Sequence, residues 1–355
     1  MFIEDFNPSG RVFVLGAGAS AFAGYPLSGD LFNFIRNFDS REVTSKQNAE
    51  FVIPKLNEAE FHFYRNVVRD SNRVHNLEEV LTYLELFHSF PGTMFALNPW
   101  NAADSSGVRR LITDKFLAYQ HDLLIKVWRN GTPIQQVSCD PVVVRRVAEA
   151  WPRRLRPGDV ILTFNWDILH EVMLWHAGLW SYRQGYGFRC GGQGASERVS
   201  AILLLKLHGS TNWVQADDSG PVTEIASVSD FFAGSKDWDP RSHVNQAQID
   251  SGRKLVLPTY LKDITANAAL LRTWVAAREA IAQAQEITVV GYSLNRIDHP
   301  ARLLFGTALA ANKGLQKVVV VSPQSTEWDT FLGALKKEMK RTPKKFEDWV
   351  CEPEA

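Results

Sequence analysis

The chain has 355 residues, 45% of them hydrophobic, with 39 basic side chains against 39 acidic ones. That length and composition suit a soluble globular chain with a sizeable core. The balanced charge excludes an overall positive field that would gather nucleic acid or an anionic membrane.

The first ten residues, "MFIEDFNPSG", lack the basic and apolar regions of an export signal, and no run approaches the roughly 20 apolar residues that span a bilayer. The expectation is a cytoplasmic protein with no membrane association and no direct contact with nucleic acid. In chain order, "RVFVL" (11–15) reads as a buried strand that enters the turn Gly16-Ala17-Gly18-Ala19-Ser20 and then a helix. The stretch that follows reads as helical. "NLEEVLTYLELF" (76–87) carries Asn76 as an N-cap with Glu78 and Glu79 in the first turn, "VRRLITDKFLAYQHDLLIKVWR" covers 108–129, and "DPVVVRRVAEAW" (140–151) has Pro141 in its first turn. Residues 38–150 are therefore expected to form a helical insertion module. The expected main domain is discontinuous, made of 1–37 and 151–345.

Further apolar, β-branched runs lie at 159–163, 202–207, 254–257, 286–290 and 317–321, with helical spacing over 266–284, 298–311 and 326–340. Runs this apolar fit strands covered on both faces, so the expected fold is a Rossmann-like open parallel α/β sheet of about six strands flanked by helices. The polar stretch 215–250 reads as loops with a short helix around "SDFFAG". Cys139, Cys190 and Cys351 are too far apart for a CxxC pair, so no metal site is expected from them.

Several strand ends carry small or polar residues, and ligands in open α/β sheets gather at such ends. Gly16 and Gly18 remove the Cβ atoms that block close approach, and the segment fits G-x-G-x-x-G/A with Ala21 in last place. A dehydrogenase-type site also needs a second strand ending in an acid about 20 residues on. Here "PLSGDLFNFIRNFDSREV" reads instead as a turn and a helix, which argues against hydride transfer. The second strand ends in Thr163-Phe164-Asn165-Trp166-Asp167. Asp167 also suits a helix N-cap, and Asn165 a turn brace. The third ends in "LHGSTNW", where His208 before Gly209 and Ser210 is placed for proton transfer, although a lone histidine is also a common structural residue. "GYSLNRIDHP" and "VVVVSPQ" bring Gly291, Ser293 and Ser322, which suit an adenosine or ribose edge.

Taken in order, "GAGAS…GYP", "TFNWD", "LHGS.NW", "PTYLKD", "GYSL…D" and "VVVVSP" resemble the sirtuin-like NAD-binding family, especially the bacterial sirtuin-like NADases of anti-phage defence. The resemblance covers 11–34 and about 157–325. It implies that Gly16, Ala17, Gly18 and Ser20 hold the NAD phosphates and that Gly24 and Pro26 lie in a loop closing over the nicotinamide side. By the same resemblance Asn165 lies near the nicotinamide ribose, Asp167 fixes the carboxamide and His208 acts as base. Thr163, Gly209 and Ser210 belong to the same NAD-binding set, with Gly291, Ser293 and Ser322 around the adenosine half. Lys262 falls in a family-like segment with no assigned role.

The departures are informative. Phe164 stands where protein-deacylating sirtuins have glutamine, "PLSGDL" replaces their Asp-Phe-Arg element, and their zinc-binding CxxC pairs are missing. The implied function is an NAD glycohydrolase, with NAD as substrate and no zinc. It would be held quiet until a signal or partner, such as an ATPase or nucleotide-handling protein, activates it within a homo- or hetero-oligomer. The alternatives are a non-catalytic NAD or ADP-ribose sensor and, less favoured, an NAD-dependent deacylase.

Overall fold

The computed structural model describes residues 6–37, 46–69, 76–89, 102–129, 137–190, 199–214, 222–224, 253–255, 264, 267–296, 298–324 and 326–353. The short helix around "SDFFAG" and the "PTYLKD" segment with Lys262 lie outside these residues.

Six strands form one parallel sheet: β1 (Arg11–Leu15), β2 (Val160–Thr163), β3 (Leu203–Lys206), β7 (Glu286–Val290), β8 (Lys317–Val321) and β9 (Lys340–Thr342). Their order is β3-β2-β1-β7-β8-β9, with Leu15 opposite Thr163 on one side and Val290 on the other. Every residue of β2 and β3 is buried, as the unbroken apolar runs demand. The outermost strand, β9, is short and basic, which suits an edge that must not recruit another chain. This is a Rossmann-like open sheet. Because the chain builds outward from β1 in both directions, the crevice at the carboxyl ends beside β1 is the topological switch point.

Alternate residues of β1 face opposite layers, following the two-residue period of a strand. Val12 and Val14 pack against α8 (Ala268–Gln283) and α9 (His299–Ala311), through Trp274, Ile281, Leu304 and Phe305. Phe13 and Leu15 face the other way, into a core shared with α2 (Lys46–His62), α4 (Ala102–Leu124) and α5 (Pro141–Arg153). Those three helices, with α1 (Leu31–Arg36) and α3 (Leu77–Ser89), occupy the chain between β1 and β2. Their starts follow local rules: Asn76 Oδ1 accepts the Glu78 N–H at 2.9 Å, and Asp140 Oδ1 accepts the Val142 N–H at 2.8 Å with Pro141 in the first turn. From Leu111 to Leu124, α4 is buried throughout. No helix among the described residues is long and apolar enough to cross a membrane.

Two expectations are corrected. The described part of the 254–257 run, in β6 (Arg253–Leu255), does not join the main sheet. It pairs antiparallel with β4 (Gly209–Val214), which also pairs with β5 (Thr223–Glu224), in a second sheet of order β5-β4-β6. A short apolar run does not encode which sheet it enters, because the pairing partner comes from tertiary context. The sixth parallel strand instead comes from the stretch read as a helix over 326–340. There α10 (Trp328–Ala334) stops early, Lys336 takes a positive φ of 53°, and the chain turns into β9.

Candidate functional site

The carboxyl end of β1 does not pass into a regular α-helix. Residues Ala17–Ala19 and Ala21–Ala23 form two short 3-10 turns, and Gly24 follows at φ +84°. The glycines bring this loop hard against the end of β7. Gly16 N–H donates to Val290 O and Gly18 N–H to Gly291 O, both at 3.1 Å. A Cβ on Gly16 would stand 2.6 Å from Gly291 O, and one on Gly291 (φ +63°) would stand 2.5 Å from Ala19 N. Close packing of backbone on backbone thus accounts for the glycine spacing. The N–H groups of Ala19 and Ser20 also donate within the loop, to Gly16 O and Ala17 O.

Asn165, just past β2, ties this loop to the next strand. Its Nδ2 donates to Gly16 O at 2.9 Å and to Ser20 Oγ at 3.1 Å, while its own N–H is accepted by Thr163 Oγ1 at 3.1 Å. The carbonyl of Gly16 can only accept, so the amide's orientation is determined and Oδ1 faces away from that bond. Ser20, fully buried, stands beside the Asp167 carboxylate and favours its charged form. Asp167 Oδ1 also accepts the Leu169 N–H at 3.0 Å, an Asx-type bond at the start of α6 (Leu169–His176). Burial raises the Asp167 carboxyl above its ordinary value, opposed first by the positive charge of Lys206.

Lys206 was not among the residues singled out from the sequence. It ends β3 with no exposed surface and places its ammonium against three oxygens: Trp166 O at 3.4 Å, Asp167 O, and Glu171 Oε1 at 2.8 Å. An ammonium has three protons to give, and all three find acceptors. Glu171, equally buried, is raised by burial and held down by Lys206; Tyr186 OH donates to it at 3.4 Å. Thr211 of β4 donates to Trp166 O through both its N–H and its Oγ1, at 3.0 Å each. The signal for this cluster was a lysine and a glutamate inside otherwise apolar runs, "LLLK" and "ILHEVML".

The Tyr25 ring closes the cluster from the glycine loop. It packs against Phe116 of α4, and its hydroxyl donates to Gln120 Oε1. Burial raises the Tyr25 hydroxyl well above its ordinary value, reinforced by Asp167, Tyr119 and Glu171. Gly24 lies beneath Tyr119, where a Cβ would stand 2.1 Å from the hydroxyl, and Tyr119 OH donates to Ala23 O at 3.0 Å. Pro26 is half-buried and leads into the exposed residues 27–30.

His208 belongs to a second group. Its Nε2 lies 3.8 Å from Asp298 Oδ2, and Tyr292 OH donates to that same oxygen at 3.1 Å. Phe164 stacks on Tyr292 with ring centroids 4.0 Å apart and meets the His208 ring edge-on at 5.1 Å. Phe164 is therefore a packing residue between two aromatic partners. Trp274 of α8 donates to Leu207 O at 2.7 Å, and Trp328 donates to Tyr292 O at 2.8 Å, so tryptophans anchor both turns. Leu294, buried at φ +55°, marks a strained turn after Gly291.

The remaining predicted residues sit around these two groups. Gly209 (φ +74°) opens β4, and Ser210 is buried with its Oγ accepting the Asn212 N–H at 3.3 Å. Ser293 is exposed, Ser322 is half-buried, and both follow carboxyl ends of strands, β7 and β8. No group of three or more metal-binding side chains occurs among the described residues.

No protein-family model matches the chain, and no curated protein does. Among solved structures it is similar to one from a study of the structural basis of sirtuin substrate affinity, with 13% identity, a TM-score of 0.42, and coverage of 96% of this chain and 91% of that one. It is also similar to a Sir2 in complex with the inhibitor EX-527, 2'-O-acetyl-ADP-ribose and a deacetylated p53 peptide, with 13% identity, a TM-score of 0.36, and coverage of 96% and 90%. The Rossmann-like fold stands on the strand order and register rather than on these loose likenesses.

Proposed function

We propose that the protein is an NAD glycohydrolase that releases nicotinamide and ADP-ribose from NAD bound at the carboxyl ends of β1, β2 and β7. The observation that carries this reading is the pair of hydrogen bonds from Asn165 to Gly16 O and Ser20 Oγ, which joins the glycine loop and the end of β2 at the switch point, with Ser20 beside the buried Asp167 carboxylate. The fit with NAD comes from the kinds of group present. Asp167 is a buried carboxylate suited to a carboxamide N–H, and Asn165 Oδ1 is an acceptor suited to a ribose hydroxyl or a water.

Leaving-group chemistry makes few demands. The C1′–N bond gives its electron pair to the cationic ring, which departs neutral and needs no general acid. Positioning and charge then dominate the barrier. Asp167 orients the carboxamide, Asn165 holds the ribose or the water, and His208 takes the proton from the water or from a ribose hydroxyl, with Asp298 supplying negative charge beside its ring. Water oxygen bonds to C1′, and the products are nicotinamide, ADP-ribose and one proton. Phe164 can neither donate nor accept a hydrogen bond, which weighs against the glutamine-dependent deacylase reading.

In this reading 38–150 is an inserted module. Its helix α4 reaches the site through Phe116, Tyr119 and Gln120, a route by which a regulatory partner or a second copy acts on the Tyr25 loop, as an effector of anti-phage defence requires. The test is to incubate the purified chain with NAD, alone and with neighbouring gene products, and to measure nicotinamide. Turnover that disappears in Asn165→Ala and His208→Ala supports the enzyme. Tight NAD binding with no turnover under any condition would favour the sensor reading, for which the extensive bracing of Asn165 is the motivating observation.

A further inference from the structure

The buried cluster at the ends of β2 and β3 carries an odd charge. Lys206 and Glu171 neutralise one another at 2.8 Å, and the Lys206 ammonium has its third contact on the main-chain oxygen of Asp167, not on its carboxylate. Asp167 is thus left as the one unbalanced carboxylate of the group, facing the glycine loop through Ser20. Burying an unbalanced charge is costly unless something of opposite sign meets it. We infer that Lys206 and Glu171 set the charge on Asp167, so that this site selects a cationic ring, the oxidised nicotinamide, over the neutral reduced ring. The inference rests on the reading of Asp167 as the residue that holds the nicotinamide.

The surroundings isolate this pair as the controlling one. The groups that face Asp167 are Ser20 and Tyr25 from the glycine loop, Lys206 from β3 and Glu171 from α6. Behind Tyr25 stand Tyr119 of α4 and Cys139. His170 of α6 lies within the field of Lys206. Burial pushes Tyr25, Tyr119 and Cys139 upward, so all three stay protonated between about pH 5 and 8. His170 is pushed down to about 3, by burial first and then by Lys206, and stays neutral over that range. Among the described residues, Lys206, Glu171 and Asp167 itself then decide the local charge.

Lys206 and Glu171 act on Asp167 with opposite signs, which yields a signature that loss of packing cannot imitate. Removing the lysine charge disfavours the Asp167 carboxylate, and removing the glutamate charge favours it. Each moves the midpoint for its protonation by about one pH unit or more, in opposite directions. Removing both leaves the net charge of the cluster unchanged.

The experiment is titration calorimetry of the full chain from pH 5 to 9 with non-cleavable carbocyclic NAD and, separately, with NADH. The wild type is expected to bind the cationic nucleotide about tenfold or more tightly at the upper end of this range, with the preference fading as pH falls and Asp167 takes a proton. In Lys206→Met the fade moves to higher pH, in Glu171→Gln it moves to lower pH, and in Lys206→Met/Glu171→Gln it returns toward the wild-type position. Asp167→Asn abolishes the preference at every pH. If Lys206→Met does not fold, the direction of the Glu171→Gln shift decides, since that change is isosteric. Binding of carbocyclic NAD with both variants shifted the same way, or with neither shifted, overturns the charge-setting role and leaves the nucleotide reading standing. Wild-type chain that binds neither nucleotide overturns the nucleotide reading and this inference with it.

Discussion

The two groups at the carboxyl edge of the sheet are built differently. On the Asn165 side, polar atoms are joined by hydrogen bonds, from Asn165 to Gly16 O and Ser20 and from the buried Lys206 to Glu171 and the main chain of Asp167. On the His208 side, one ion contact of 3.8 Å with Asp298 is embedded in the aromatic stack of Phe164 and Tyr292. A saturated hydrogen-bond network is rigid and preorganised, suited to holding a ligand in one pose. In the proposed reading, the first group positions the nucleotide and the second transfers the proton.

The largest expected effect breaks the second group. His208→Ala should lower the rate of nicotinamide release by about 10²–10⁴-fold, while Asp298→Asn, which only alters the charge beside the ring, should cost about tenfold. Equal losses in the two variants would assign Asp298 a direct part and remove the distinction.

Next comes the unity of the first group. Asn165→Ala and Ser20→Ala should each lower the rate by about 10²-fold, and the double variant should cost no more than the worse single one, because the pair acts as one unit. Multiplying losses, measured in the same assay, would show two independent groups instead.

Stability separates the loop glycines. Gly291→Ala combines a positive φ of 63° with a Cβ placed 2.5 Å from Ala19 N, and should destabilise by more than about 1 kcal/mol in thermal or urea unfolding. Gly29→Ala, which meets nothing within 4 Å, serves as its neutral control.

The last effect is a pH slope. Folded His170 titrates at about 3, whereas in the unfolded chain it takes a proton near 6.5. Its stabilising contribution is therefore complete above about pH 6.5 and is lost as pH falls toward 3, by up to about 1.4 kcal/mol per pH unit. His170→Leu should flatten that part of the stability curve. An unchanged slope would show that His170 is not the group taking up the proton.

The parallel sheet was legible because a strand buried on both faces must be apolar throughout, and such runs stand out in "RVFVL", "DVILT", "ILLLKL", "EITVV" and "KVVVV". Helix starts at Asn76 and Pro141 were legible for a similar reason, since capping is local chemistry. The 254–257 run and the 326–340 stretch misled because three-residue strands carry too little pattern to name their partners. Lys206 escaped notice because a lysine at a strand end reads as solvent-facing, and only the convergence of Trp166, Asp167 and Glu171 from other elements shows why it is inside.

The sequence by itself determined the strands of the open sheet and the positions of Asn165, Asp167 and His208 just past strand ends, since hydrophobic periodicity and turn chemistry are short-range. Only the tertiary structure decided that Asn165 and Asp167 both meet Ser20 of the glycine loop while His208 packs in another group, and that the two glycine turns close on each other. Burial, ion pairing and backbone contact between segments more than a hundred residues apart depend on where the sheet order places those segments.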